Sequence, residues 1–105
     1  MKTVLLVCTQ GMSTSFLTNK INTVAKDNNV PIHFFAKSEN QIELELDRVD
    51  CILLGPQVAY MQKEICDRVN GRVPVEAIDA ATFGRMNAVA ILKQAIRLIK
   101  SQNQG

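Results

Sequence analysis

At 105 residues, with 47% hydrophobic and 21% charged residues, the chain has the makeup of a globular domain able to bury a core without staples. A net charge of +2 without a Lys/Arg run gives no electrostatic footprint for nucleic acid. The three cysteines, Cys8, Cys51 and Cys66, show no CxxC or zinc-like spacing, which suits free thiols in a reducing compartment; neither a metal nor an organic cofactor is expected.

The pattern alternates strand and helix from the first residues onward. Thr3 to Val7 is a continuous apolar, β-rich run, as expected for a strand buried on both faces. The apolar stretch Val4 to Val7 is far shorter than the roughly 7–15 residues of a signal h-region, and no segment approaches the ~20 of a membrane helix, so the chain reads as cytosolic. After a turn at 9–12, a helix begins near Ser13, with Phe16, Leu17, Ile21, Val24 and Ala25 on one face. Pro31 to Ala36 reads as a second strand. Ser38 and Gln41 form a capping-box signature for a helix, although Ile42, Leu44 and Leu46 also alternate as a strand would. Cys51 to Leu54 is a third strand. Gly55-Pro56 then turns the chain into a helix over 57–69, closed by Gly71. Val73 to Ile78 is a fourth strand, and a last helix spans 86–100 with apolar positions at Val89, Leu92, Ile96 and Ile99.

Strands separated by helices imply right-handed crossovers and a parallel sheet covered on both faces. Pro31 and Pro74 direct strands two and four to the edges, leaving the purely apolar strands one and three in the centre. The expected fold class is therefore α/β: one domain over residues 1–105, with an open four-stranded parallel sheet of order 2-1-3-4. In such sheets ligands bind outside the carboxyl ends of the strands at the topological switch, here between strands one and three. Cys8 ends the first strand.

Cys8-Thr9-Gln10-Gly11-Met12-Ser13-Thr14-Ser15 joins that strand to a helix N-terminus. Gly11 permits a tight turn in which successive N–H groups form an anion nest, and Ser13, Thr14 and Ser15 add hydroxyl donors. The same field favours a thiolate, the nucleophilic form of cysteine. No Asp or Glu precedes Asp27, as a site for a dianion requires. The bland alternative is a small buried strand residue followed by ordinary helix-capping hydroxyls.

These residues, together with Leu53-Leu54-Gly55-Pro56-Gln57-Val58-Ala59-Tyr60-Met61 and Pro74-Val75-Glu76-Ala77-Ile78-Asp79, resemble the enzyme IIB component of sugar phosphotransferase systems, lactose/cellobiose/chitobiose family. The resemblance covers essentially the whole chain and implies a fold similar to low-molecular-weight tyrosine phosphatases. It also implies that a phosphohistidine on a IIA protein passes its phosphoryl group to Cys8, and that a membrane-embedded IIC permease lets a sugar receive it during uptake. The chain would then act in the cytoplasm, peripherally associated with IIC. Thr9 to Ser15 match the family's phosphate-binding loop, and Gly55, Pro56 and Gln57 would lie beside it. A separate chain without a membrane segment fits cellobiose- or chitobiose-type systems better than fused lactose ones.

The rival reading is a cysteine-dependent phosphatase or an arsenate reductase, which need C-x5-R to clamp the phosphate; here Thr14 stands where that arginine belongs. In that reading Asp79 would be the general acid; otherwise it begins a loop or caps a turn. A non-catalytic anion-binding module is the remaining alternative. Cys51 and Cys66 read as core or neutral positions, and His33 lacks a sequence partner for metal binding or phosphorylation. Lys93, Arg97 and Lys100 read as solvated cations at a helix C-terminus, or as a surface for an acidic partner. Met12, Val58, Tyr60, Met61 and Phe83 are candidates for an apolar collar at the active edge, with helix core as the alternative.

Overall fold

The computed structural model describes residues 1–8 and 12–103, without the side chains of residues 12–14 and 102–103. Strands β1 (Lys2–Val7), β2 (Ile32–Lys37), β3 (Cys51–Leu54) and β4 (Val75–Ala77) form one sheet, all neighbours parallel, in the order β2-β1-β3-β4. Helices α1 (Met12–Asp27), α2 (Ile42–Glu45), α3 (Gln62–Val69), α4 (Ala80–Gly84) and α5 (Ala88–Asn103) connect or follow the strands. Both central strands are fully apolar over their buried length because each face of the sheet is covered. Val4, Leu6, Cys51 and Leu53 point into a layer with α1 and α5; Leu5, Val7, Ile52 and Leu54 point into one with α2 and α3.

The prolines act as expected for edge strands. Pro31 precedes β2 while its carbonyl accepts from Lys2 N at 2.9 Å, and Pro74 precedes β4 while its carbonyl accepts from Ile52 N at 2.9 Å. Part of the outward backbone of both edges is taken up by side-chain amides. Asn22 on α1 accepts from Phe34 N at 2.7 Å and donates to Phe34 O at 2.9 Å, standing in for a missing neighbour of β2. On β4, Gln94 of α5 donates to Ala77 O at 3.1 Å and Gln62 of α3 donates to Val75 O at 3.4 Å. Edges closed this way offer less template for another strand.

Several local expectations are corrected. In α1 the buried stripe is Leu17, Ile21 and Ala25 at i, i+4 and i+8; Phe16, one residue off it, is 64% exposed. In α5 the stripe is Ala88, Ile91, Leu92, Ala95, Leu98 and Ile99, so Val89 faces outward. That helix starts at Ala88, where Asn87 Oδ1 caps Ala90 N, because Met86 takes a left-handed backbone (φ 50°). The 39–48 segment is a 3-10 turn, the short α2 and a second 3-10 turn, and Ser38 makes no side-chain cap. Likewise 57–69 divides into a 3-10 stretch, Pro56–Met61, and α3, which is closed by Asn70 in the left-handed region (φ 53°) before Gly71. Arg68 of α3 binds Glu43 at 2.6 Å and Glu39 at 2.8 Å, clamping the 39–48 segment beside the sheet. Their contact holds the Glu43 carboxyl down at about 2 and raises the Arg68 guanidinium further.

Candidate active site

The carboxyl ends of β1, β2 and β3 converge where the chain order reverses. Val7 pairs with Lys37 on one side and Leu54 on the other, so β1 lies between strands whose connections leave on opposite faces. Cys8 follows directly. Its N–H donates to Lys37 O at 3.3 Å, and Gly55 N donates to Val7 O at 2.9 Å, which fixes the Cα of Cys8 between the ends of β2 and β3. The residue is 6% exposed and its thiol is free.

The thiol donates to Gln57 Oε1 at 3.5 Å. Gln57 stands in the first turn after Gly55-Pro56 and reaches back over Gly55. A Cβ at Gly55 would lie 2.8 Å from Gln57 Oε1, 3.4 Å from Cys8 Sγ and 3.4 Å from Val7 O. The backbone of Gly55 is extended (φ −63°, ψ 156°), so what this position requires is the absence of a side chain rather than an unusual conformation. Gly55 and Gln57 thus lie beside Cys8.

The expected phosphate loop is only partly within view. Thr9, Gln10 and Gly11 lie outside the described residues, as do the side chains of Met12, Ser13 and Thr14. The described part places Met12–Ser15 in the first turn of α1, which carries no acidic residue. Ser15 is exposed and its carbonyl accepts from Thr18 Oγ1 at 2.9 Å. Asp79 follows β4 at the same edge, where Ile78 N donates to Leu54 O. Its Oδ2 accepts from Ala81 N at 3.0 Å and Thr82 N at 3.2 Å, capping α4, a helix that sequence periodicity does not reveal in so short a span. Asp79 is a cap here, not a free acid.

The other residues singled out separate clearly. Val58 is buried in the α2/α3 layer, as helix core is, and the partly buried Met61 packs against it; Phe83 packs against the α1/α5 layer, while Tyr60 is 82% exposed. Cys51 lies wholly in the core, where burial, reinforced by Asp50 and Glu76, pushes its thiol up to about 12. Cys66 is half-buried in α3, and His33 is exposed on β2. Arg97 pairs with Glu76 at 2.5 Å. Lys37, whose carbonyl holds Cys8 N, is a site neighbour without a sequence signal, because a backbone contact between separate strands leaves no mark on residue type.

A thiol at the switch point of an open 2-1-3-4 parallel sheet, ahead of an acid-free helix N-terminus, defines an α/β protein built to bring a cysteine to its strand-end crevice. The chain matches the family described as "PTS system, Lactose/Cellobiose specific IIB subunit" over residues 3–94. It is 36% identical over 104 residues to the PTS system cellobiose-specific EIIB component of Lactococcus lactis, covering 93% of this chain and 96% of that protein. It is 30% identical over 105 residues to the PTS system oligo-beta-mannoside-specific EIIB component of Bacillus subtilis, covering 97% and 100%. The solution structure of the cellobiose-specific phosphotransferase IIB component from Borrelia burgdorferi superposes with TM-score 0.80 at 33% identity, covering 95% of this chain and 93% of that one. The lactose-specific IIB domain from Streptococcus pneumoniae shares the fold, with TM-score 0.78 at 19% identity, over 92% and 96% of the two chains. The protein belongs to the lactose/cellobiose-specific IIB family of the sugar phosphotransferase system, and its general reaction is phosphotransfer. Among the described residues no helix is long and apolar enough to cross a membrane.

Proposed function

We propose that this IIB component is a cytoplasmic phosphocarrier that accepts a phosphoryl group on Cys8 from a IIA phosphohistidine and passes it to a β-linked disaccharide of the cellobiose or chitobiose type at a membrane IIC permease. The observation that carries the reading is the position of Cys8, the residue that directly follows β1 at the switch point beside Gly55 and Gln57. Ligands of open parallel sheets bind at that place, and a helix N-terminus without acidic residues follows it.

The chemistry is a balanced exchange. The thiol first gives its proton to solvent. A lone pair of the sulfur then forms the S–P bond as the N–P bond of the donor breaks; the N–P electrons remain on the imidazole, which takes up a proton from solvent and leaves neutral. In the second step a sugar hydroxyl oxygen bonds to phosphorus, the S–P pair returns to Cys8, and the hydroxyl proton is released. In both steps the phosphoryl oxygens carry spread charge that fixed donors must balance. The amides of Thr9 to Ser15 are proposed for that task. Thr14 at the sixth position after Cys8, in place of the arginine of C-x5-R hydrolases, favours a carrier whose phosphocysteine persists until the sugar arrives.

The test is intact mass and site mapping after mixing with phosphorylated IIA. The expected result is one phosphoryl group on Cys8, absent in Cys8→Ser. A group mapped to another residue, or Cys8-dependent turnover of an aryl phosphate by the isolated chain, overturns the reading.

A further inference from the structure

We propose that Gln57 is a positioning residue for the sulfur of Cys8 whose carboxamide changes hydrogen-bond sense with the state of that sulfur. The inference rests on the phosphocysteine reading and deepens it. With Cys8 as a thiol, Gln57 Oε1 accepts the S–H at 3.5 Å. Once the proton has gone to solvent the oxygen has no donor to accept from, and it faces a negative sulfur instead. A half-turn of the terminal amide presents Nε2–H to the thiolate, and afterwards to a phosphoryl oxygen, because a carboxamide carries acceptor and donors at nearly the same reach. A carboxylate offers only acceptors and would repel each charged state. A hydroxyl on a short side chain would not span the distance from the turn at Pro56 across Gly55.

Gly55 makes this geometry available. Any side chain there meets the Gln57 amide oxygen first, at 2.8 Å, and that oxygen is the free end of a flexible chain, so it yields while the backbone stays. Since the backbone of Gly55 is extended (φ −63°), Gly55→Ala displaces the amide from Cys8 without backbone strain. Two substitutions of different kind, one removing the amide and one removing the room for it, are therefore expected to give the same functional signature.

The experiment reads the pH profile of iodoacetamide alkylation at Cys8, followed by peptide mapping so that Cys51 and Cys66 do not contribute, in the full chain and in Gln57→Met, Gln57→Glu and Gly55→Ala. Gln57→Met and Gly55→Ala are expected to move the alkylation midpoint upward together, and to slow phosphoryl acceptance from IIA about tenfold or more, the usual weight of one hydrogen bond to a charged group. Gln57→Glu is expected to move it furthest, by about one unit or more, as a like charge within contact of a thiolate does. Profiles of Gln57→Met and Gly55→Ala that superpose on the parent overturn the proposal, whatever happens to transfer. So does a Gln57→Glu effect with no change in Gln57→Met, which would be repulsion alone. The alkylation readout needs no IIA: if the parent takes no phosphoryl group on Cys8 the carrier reading falls, and the profiles still judge Gln57 separately.

Discussion

Three cysteines in one chain occupy three chemical settings, and the differences follow from where each meets the sheet. Cys51 opens a central strand, and burial holds its thiol up at about 12 against an ordinary value of 9.0. The folded state thus keeps this proton between pH 9 and 12 while the unfolded chain releases it, so stability falls as pH rises through that window. Cys51→Val is expected to flatten the fall, read as urea midpoints at pH 8 and pH 10; an unchanged slope contradicts the assignment. Glu43 acts at the other end of the scale. Its hydrogen bonds from Arg68 lower its carboxyl from 4.5 to about 2, so its contribution is complete above pH 4.5 and is lost as pH falls toward 2. Glu43→Gln is expected to lose less stability than the parent between pH 5 and pH 2.5, with a gap that narrows in high salt because the pair is solvent-facing. Among residues, the place of Cys8 after a buried strand was legible because its signal is local: an apolar β-rich run that ends at a hydroxyl-rich helix start. Arg68 was not, since its partners Glu39 and Glu43 lie on another element and only the folded chain brings them together.

At the level of elements, the edges of the sheet carry the clearest prediction. Asn22→Ala removes both bonds to Phe34 and leaves a backbone donor and acceptor of β2 without their partner, a loss of about 1–3 kcal/mol for unsatisfied groups of this kind. The variant should also show concentration-dependent association, read by sedimentation, because the uncovered edge can pair with another chain. Asn22→Asp keeps the acceptor for Phe34 N and loses the donor, so it should fall between the two in denaturant midpoint. The strands and their order could be read from sequence because burial on both faces erases alternation and proline marks the edges. The 39–48 segment could not. Ile42 and Leu46 are buried and Leu44 is 78% exposed, so the helical i, i+4 pair is the one in use, while the period-2 pattern that Leu44 completes is incidental. For α4 the deciding residue is Asp79, whose cap is plain in the fold and ambiguous in a sequence where Asp opens turns as readily as helices.

For the whole molecule, the two apolar layers share only the sheet between them. Ile91 of α5 belongs to one layer and Ile65 of α3 to the other, and among the described residues no packed cluster contains both. We propose that residues 1–105 nevertheless unfold as one unit, because both central strands supply alternate residues to both layers, so that losing either layer strips half the cover from β1 and β3. Ile91→Val and Ile65→Val should each cost about 0.5–1.5 kcal/mol, typical of removing one buried methyl group. With the sheet separating the sites, the double variant should cost their sum to within about 0.5 kcal/mol. It should also keep a single transition by circular dichroism and by Tyr60 fluorescence, with an unchanged denaturant slope. A biphasic melt in which Ile91→Val moves only one phase would mean that the layers melt independently.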